Sequence, residues 1–292
     1  MANEITQSSL NGFLSYDYWL MRDAIVEAAY DVFSMKQHVI GKSLAGIPSN
    51  AARFTKYPKL TASALTDGTD LTANTAFTPT QNTLTVGEAG LKLTLTDLAD
   101  SGGIVGMMEY GRNAGLAVAE KITGDLVALG AGFSTSEGTT NVDLTEQVLL
   151  DTTAVLRAAN IRGPYARVLH PDSYYKELIG DIGTTFSALG NTGGMVRSES
   201  NDLPGSGDSG LVGNLFGHET FISSQVGEDG SSDKENFMYA KNQALGYVER
   251  WPIRVEIERD ASLRGDEIVV TAAYAVGEVD DAAGVRIISD GA

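Results

Sequence analysis

"GIVGMMEYGRNAGLAVAEKITGDLVALG", residues 103–130, is the stretch on which the fold turns. Ile104, Met108, Gly111, Gly115, Val118, Ile122, Leu126 and Leu129 recur at steps of four and three throughout it. That spacing predicts one helix with a single apolar stripe. Ser101 stands where a cap belongs. At about 1.5 Å per residue the helix reaches roughly 40 Å, enough to cross a whole domain. Its middle is small: Gly111, Ala114, Gly115, Ala117 and Ala119. Small side chains let another backbone come close, at about 1 kcal/mol for each internal glycine.

Upstream of the helix lie two strand patterns with a polar stretch between them. "ARFTKYPKL", 52–60, alternates and ends near Pro58. "LTVGEAGLKLTLTDLAD", 84–100, alternates again, with Leu91, Leu93 and Leu95 against Lys92 and Thr94. Residues 61–82 are rich in Thr, Asp and Asn. So long a connection without its own apolar pattern is uncommon in a compact domain and points to function. It reads as an arm reaching onto another chain. Before it, 16–38 predicts a helix with Trp19, Val26, Tyr30 and Phe33 on one stripe.

Downstream, 143–159 predicts a second helix, with Val148, Thr152, Val155 and Ala159 buried. Asp143 and Glu146 have capping-box spacing. "YARVLHP", 165–171, reads as a buried strand, and 171–180 as a short helix starting at Pro171 or Asp172. Residues 181–210 are rich in Gly and Ser and read as a loop. Short strands follow at 211–215 and 219–223, then a loop at 225–236. The last sixty or so residues are strand-like. In "RVEIER", Val255 and Ile257 are expected inward, Glu256 and Glu258 outward.

The bulk composition narrows the function. Twenty-one basic residues face 38 acidic ones, a net charge of −17. Such a surface repels nucleic acid through the phosphate term. The chain has no cysteine, which excludes disulfides, thiolate chemistry and cysteine zinc sites. No run of about 18 apolar residues is present, so no membrane helix is expected. The first residues lack a basic segment followed by an apolar one, so no secretory signal is expected.

"GSGDSG", 205–210, matches two catalytic patterns at once. As G-x-G-x-x-G, with Gly205, Gly207 and Gly210, it is a dinucleotide fingerprint, which would make the chain a nucleotide-binding enzyme. That fingerprint must follow a strand and open a helix. "SESNDLP" before it is no buried strand, and "LVGNLFG" after it carries two glycines and is no helix. As G-D-S-G around Ser209 it needs a histidine and an aspartate nearby. His38, His170 and His218, the chain's three histidines, lie in no triad motif. The stretch is expected to be a flexible connector. "DGTD", 67–70, and "DLAD", 97–100, fall short of a calcium loop and read as turns or caps. No catalytic residue, cofactor or metal ligand is assigned, and no enzyme activity is expected.

The order of parts is helix, strand, polar arm, strand, long helix, mixed lobe and closing strands. This order resembles that of the major capsid proteins of tailed bacteriophages, with the Hong Kong 97-like fold. "DYWLMRDAIVEAAYDVF" is similar to the family's N-terminal arm, the strands around 61–82 to its extended loop, and 103–130 to its spine helix. "VDLTEQVLLDTTAVLRAANIRGPYARVLHPDSYYKEL" and "LVGNLFGHETFISSQV" are similar to its axial domain. "VERWPIRVEIERDASLRGDEIVVTAAYAVGEVDDAAGVRII" is similar to its peripheral domain.

The resemblance implies an α+β fold with an N-terminal arm (1–53), an extended loop (54–98), a peripheral domain (99–141 and 243–292) and an axial domain (142–242). It implies a shell of pentamers and hexamers that encloses double-stranded DNA without sequence-specific binding. Trp19, Val26, Tyr30 and Phe33 would make contacts from the N-terminal arm. Lys56, Lys59, Asp67, Asp70 and Phe77 would make them from the extended loop. Gly205, Gly207 and Gly210 would lie in a flexible axial-domain loop. Family members can be crosslinked through a lysine of the extended loop; Lys56, Lys59 and Lys92 read as ordinary surface lysines. The chain starts close to its arm, which implies a separate scaffolding protein or none; portal and decoration proteins are further partners. The location implied is the virion capsid, and the host cytoplasm during assembly. An encapsulin-type compartment, which shares the fold but encloses an enzyme, is the alternative.

Overall fold

The alternating and helical patterns fold into strands and helices close to where they were read. The computed structural model describes residues 4–5, 35–60, 62, 64–68, 70, 76–97, 107–178 and 211–290. In chain order they form β1 (Glu4–Ile5), a 3-10 turn (Met35–His38), β2 (Ile40–Ser43), β3 (Ala51–Lys56), β4 (Thr80–Thr85) and β5 (Gly87–Thr96). Then come α1 (Met107–Ala128), β6 (Ser136–Gly138), α2 (Glu146–Ala158), β7 (Tyr165–Leu169) and a π-wound turn (Ser173–Leu178). β8 (Leu211–Leu215), β9 (His218–Ile222), β10 (Lys234–Ala240), β11 (Leu245–Asp260), β12 (Gly265–Glu278) and β13 (Gly284–Ser289) close the chain. The fold is α+β.

One sheet has five strands, in the order β1-β5-β12-β11-β2. Its long members are antiparallel: Gly87 pairs with Tyr274, Thr96 with Gly265, and Leu245 with Glu278. A second sheet has six, in the order β6-β13-β10-β7-β9-β8. β3 and β4 pair alone as a hairpin, Ala51 opposite Thr85 and Lys56 opposite Thr80.

α1 packs on the five-stranded sheet. Val118, Ile122 and Leu126 are buried as the spacing predicts, against Ile268, Val270 and Ala272 of β12. Tyr274 donates to Asp125 Oδ2 at 2.6 Å and ties helix to sheet. α2 covers the six-stranded sheet, and one hydrophobic core runs from α1 through both sheets to α2. β12 shows two environments. Ile268, Val270 and Ala272 alternate with half-buried neighbours, whereas Ala272 through Ala275 are all buried. The second face is covered there by the β3–β4 hairpin, which supplies Ala52 and Phe54 to a small cluster with Leu44, Val248 and Ala275.

Several expectations need correction. The strand expected over 84–100 is two strands with a break at Val86: β4 pairs with β3, β5 with β12. Residues 35–38, read as the end of an α-helix, form a 3-10 turn leading into β2. In α2 the buried stripe is Leu149, Thr152 and Leu156, with Val148 and Val155 at its edge. Thr152 is shared, but the stripe is turned by roughly 60°, which puts the longer leucines inward and leaves Ala159 exposed. The expected capping box is not formed. Thr145 is the N-cap and has no side-chain cap bond, while Glu177 Oε2 accepts from Leu144 N–H at 2.6 Å. A neighbouring element thus supplies the acceptor at the helix entry. Ile257, expected inward, is 45% exposed. β2 pairs with β11 only from Gly246 to Glu249, so Ile257 lies on an edge with no outer strand among the described residues. The closing strand β13 pairs with β10 and β6 in the six-stranded sheet, apart from β11 and β12, which precede it in the chain. Period-2 patterning reports a strand but not its sheet.

Candidate assembly surfaces

The arm has a fixed root and an exposed tip. At the root, Phe54 is buried, and Lys42 Nζ lies 4.3 Å from its ring centroid. Lys42 also donates to Arg53 O at 2.5 Å. Asn82 Nδ2 donates to Glu278 O at 3.0 Å and to Val279 O at 3.3 Å. Arg250 Nη1 donates to Ser49 O at 2.8 Å and to Asn50 Oδ1 at 2.5 Å. Lys56 forms an ion pair with the nearly buried Asp280. Leu84 lies directly over Gly277, where a Cβ would sit 2.3 Å from Leu84 Cδ2. Only glycine admits so close an approach.

Beyond the root, apolar groups face outward. Tyr57 and Phe77 stack with ring centroids 5.7 Å apart and an interplanar angle of 11°. They are 65% and 53% exposed, and Leu60 and Leu65 are 54% and 69% exposed. Lys59, Asp67 and Asp70 are exposed beside them, Asp67 in a turn with Gly68. Scattered surface apolar residues are ordinary, whereas the stacked Tyr57–Phe77 pair is two large rings exposed together. Of the loop residues expected to make contacts, Phe77, Lys59, Asp67 and Asp70 thus lie at the exposed tip, while Lys56 is paired with Asp280 of its own chain. Lys92 pairs with Glu267 at 2.5 Å. Tyr57, Leu60 and Leu65 were missed. The signal for Tyr57 and Leu60 was "KYPKL", 56–60, where apolar residues flank the Pro58 that ends the strand pattern; Leu65 lies beyond it in the polar stretch.

Trp19, Val26, Tyr30 and Phe33 lie outside the described residues, as do Gly205, Gly207, Ser209 and Gly210. The chain that follows the N-terminal segment is anchored: Met35 is fully buried in the core, and Lys36 Nζ lies 4.7 Å from the Tyr247 ring centroid.

The histidines are spread through the molecule. His38 Nδ1 lies 3.4 Å from the Tyr239 hydroxyl. His170 ends β7, where Asp172 N–H donates to its Nδ1 at 3.2 Å. His218 stacks edge-on against Tyr165. Among the described residues no group of three acidic or histidine side chains is placed to hold a metal. Of the two acidic pairs, Asp97 is held by Arg259 through two bonds of 2.5 and 2.6 Å. This pairing pulls the Asp97 carboxyl below its ordinary range.

Burial is the largest cause that lowers the pKa of all three histidines below 6.5; nearby Lys or Arg charges add to it. The unfolded chain therefore takes up these protons first as pH falls. Stability that is full above the unfolded value of 6.5 is lost as pH drops through it toward the lower folded values. Melting temperature is expected to fall steadily from about pH 7.5 to about pH 5.5, the histidine range. A profile flat across that range would contradict the burial of the imidazoles. Glu177 and Glu278 act in the opposite direction at lower pH, because burial raises their carboxyls.

No protein-family profile matches the sequence, and no curated protein matches it. Solved structures do match in shape. The capsid of cyanophage P-SCSP1u superimposes with a TM-score of 0.64 at 14% identity, covering 88% of each chain. The capsid of cyanophage Pam1 gives 0.63 at 10% identity over 100% of both chains. A virus-like particle from Pyrococcus furiosus gives 0.59 at 13% identity, covering 94% of this chain and 100% of the other. The chain has the fold of phage capsid proteins.

Proposed function

We propose that this chain is the major capsid protein of a tailed bacteriophage, and that many copies close an icosahedral shell around double-stranded DNA. The observation that carries this is the arm: a hairpin pinned at its root, with a stacked Tyr57–Phe77 pair and two leucines turned to solvent. A rigid lever with an apolar tip suits docking on a second copy. The shared fold of the cyanophage capsids supports the same reading. In this reading the subdomains are Hong Kong 97-like. The N-terminal arm (1–53), with Trp19, Val26, Tyr30 and Phe33, makes a second reach to a neighbour. The loop around Gly205, Gly207 and Gly210 adapts to pentamer and hexamer positions. Scaffolding, portal and decoration proteins are the further partners, and assembly takes place in the host cytoplasm. The role is structural, with no catalytic step.

Each contact is weak alone and strong by repetition, since one subunit grips several others at once. The charge of −17 makes a wall that does not hold the genome by its phosphates. It also makes copies repel. Shell yield is expected to rise as salt is raised from about 0.01 M to about 0.15 M, where the Debye length shrinks from about 30 Å to about 8 Å. A yield that falls over that range would count against the proposal.

The direct test is to express the chain alone and image it by negative-stain electron microscopy. Closed particles, rings or capsomers support the shell. Particles filled with an enzyme instead of DNA in the native source would move the reading to an encapsulin-type compartment. A monomer that binds a nucleotide would overturn the shell.

A further inference from the structure

The end of α2, the start of β7 and the β8–β9 turn enclose a polar pocket of about 380 Å³. Arg157, Pro164, Tyr165, Asn214, His218 and Glu219 line it. The Arg157 guanidinium lies over the Tyr165 ring, 5.6 Å from its centroid. Among the described residues no carboxylate comes within 4.0 Å of it. His218 meets the same ring edge-on at 5.2 Å, so the pocket has an aromatic wall with an imidazole beside it. The acidic lining residue is already engaged: Glu219 forms an ion pair with Lys241, and His38 Nε2 lies 3.8 Å from its Oε2.

A second cation sits behind the pocket. Arg167, on β7 two residues from Tyr165, is completely buried. Its Nη2 reaches Leu149 O at 3.4 Å, while Nε and Nη1 have no hydrogen-bond partner. Burial pushes its pKa down only to about 10, so it stays charged at neutral pH. Its field reaches the pocket, since Arg167 and Arg157 both disfavour protonation of His218. A buried cation without a counter-charge is costly, and an anion nearby offsets that cost. Arg157 and Arg167 thus have no carboxylate partner among the described residues, in a chain whose net charge is −17. The positive spot stands out against an acidic surface that every copy also carries.

We infer that this pocket receives the carboxylate of an aspartate or glutamate side chain from a second copy of this chain. Arg157 grips the carboxylate through its guanidinium fork, and the Asn214 amide and neutral His218 supply further hydrogen bonds. Tyr165 holds Arg157 in place from behind. The contact gives repelling acidic subunits a specific point of attraction and a register. The source of the carboxylate rests on the shell reading; the pocket's chemistry does not.

Two arms test it on the full-length chain. In the first, glutarate is titrated while thermal unfolding is followed, with sodium chloride at matched ionic strength and inorganic phosphate in parallel. A saturable rise in melting temperature is expected with glutarate, with affinity at least about tenfold weaker in R157Q. A glutarate response no larger than that to sodium chloride overturns the pocket. In the second arm, particle yield is compared between the wild type, R157Q and R157E. R157E, if its melting temperature matches that of R157Q, is expected to cut yield to about a tenth or less. Glutarate binding with normal R157E assembly overturns the neighbour as source and leaves a free-anion site, which a matching phosphate response would identify. The glutarate arm decides the pocket whether or not the wild type forms particles alone, so the failure of the pocket and the failure of the shell reading are distinguished.

Discussion

The variant Y57S/F77S is expected to remain folded and to lose assembly. Both rings are more than half exposed in the single chain, so their removal should change its stability by no more than about 0.5 kcal/mol. Docked on a neighbour, each ring covers apolar area that water now sees. At about 25 cal/mol per Å² and about 80 Å² newly buried, each ring contributes about 2 kcal/mol. Two rings per contact make about 4 kcal/mol, close to a thousandfold in association. Repetition around a closed shell enlarges the effect. Sedimentation velocity should show no particles at wild-type assembly concentrations, with an unchanged melting temperature. Y57F/F77Y keeps both rings and should assemble. Particle formation by Y57S/F77S at the wild-type threshold would remove the arm tip from the interface. A lowered melting temperature would instead show that the pair stabilises its own subunit.

The second large effect concerns the joint between the sheets. Gly130, in the 3-10 turn Leu129–Gly132 after α1, lies flat against Phe237 of β10. A Cβ there would sit 2.0 Å from Phe237 Cδ1 and 2.4 Å from Cγ. The ring cannot step aside: it is fully buried between Phe133, at 6.3 Å, and Tyr239, at 5.7 Å. Gly130→Val must therefore push the turn off the sheet, at or above the usual overpacking cost of about 1–3 kcal/mol. With total stability of about 5–15 kcal/mol, this is a large fraction. A melting temperature lower by about 10 °C is expected by scanning calorimetry. Gly230→Val is the control, since nothing lies within 4 Å of its Cβ position; it should stay within about 1 °C of wild type. Equal melting temperatures for the two variants would show that the turn is loosely packed.

Much of the local structure was legible in the residues. The helical spacing of Val118, Ile122 and Leu126, four residues apart, put α1 where it is, because that spacing lines up one apolar stripe to face the core only in a helix. Alternation marked β3, β5 and β11 for the matching reason in strands. The absence of cysteine removed thiolate chemistry, and the surplus of acidic residues argued against a basic nucleic-acid-binding domain, before any fold was considered.

Local pattern was silent about partners. β13 carries the same alternation as β12, and only long-range packing sends it to the other sheet. Ile257 alternates inward on paper, but β2 stops short of it and leaves the strand at an edge. Lys56 reads as a free surface cation until Asp280, far away in the chain, comes beside it. Arg157 and Arg167 carry no sequence signal of their own, and only the folded chain brings both near His218. Periodicity is a property of neighbours in sequence, set by side-chain direction, and it survives in any fold. Which strand meets which, what stays uncovered and which charge lacks a counter-charge depend on contacts between distant residues, and these exist only once the chain has closed on itself.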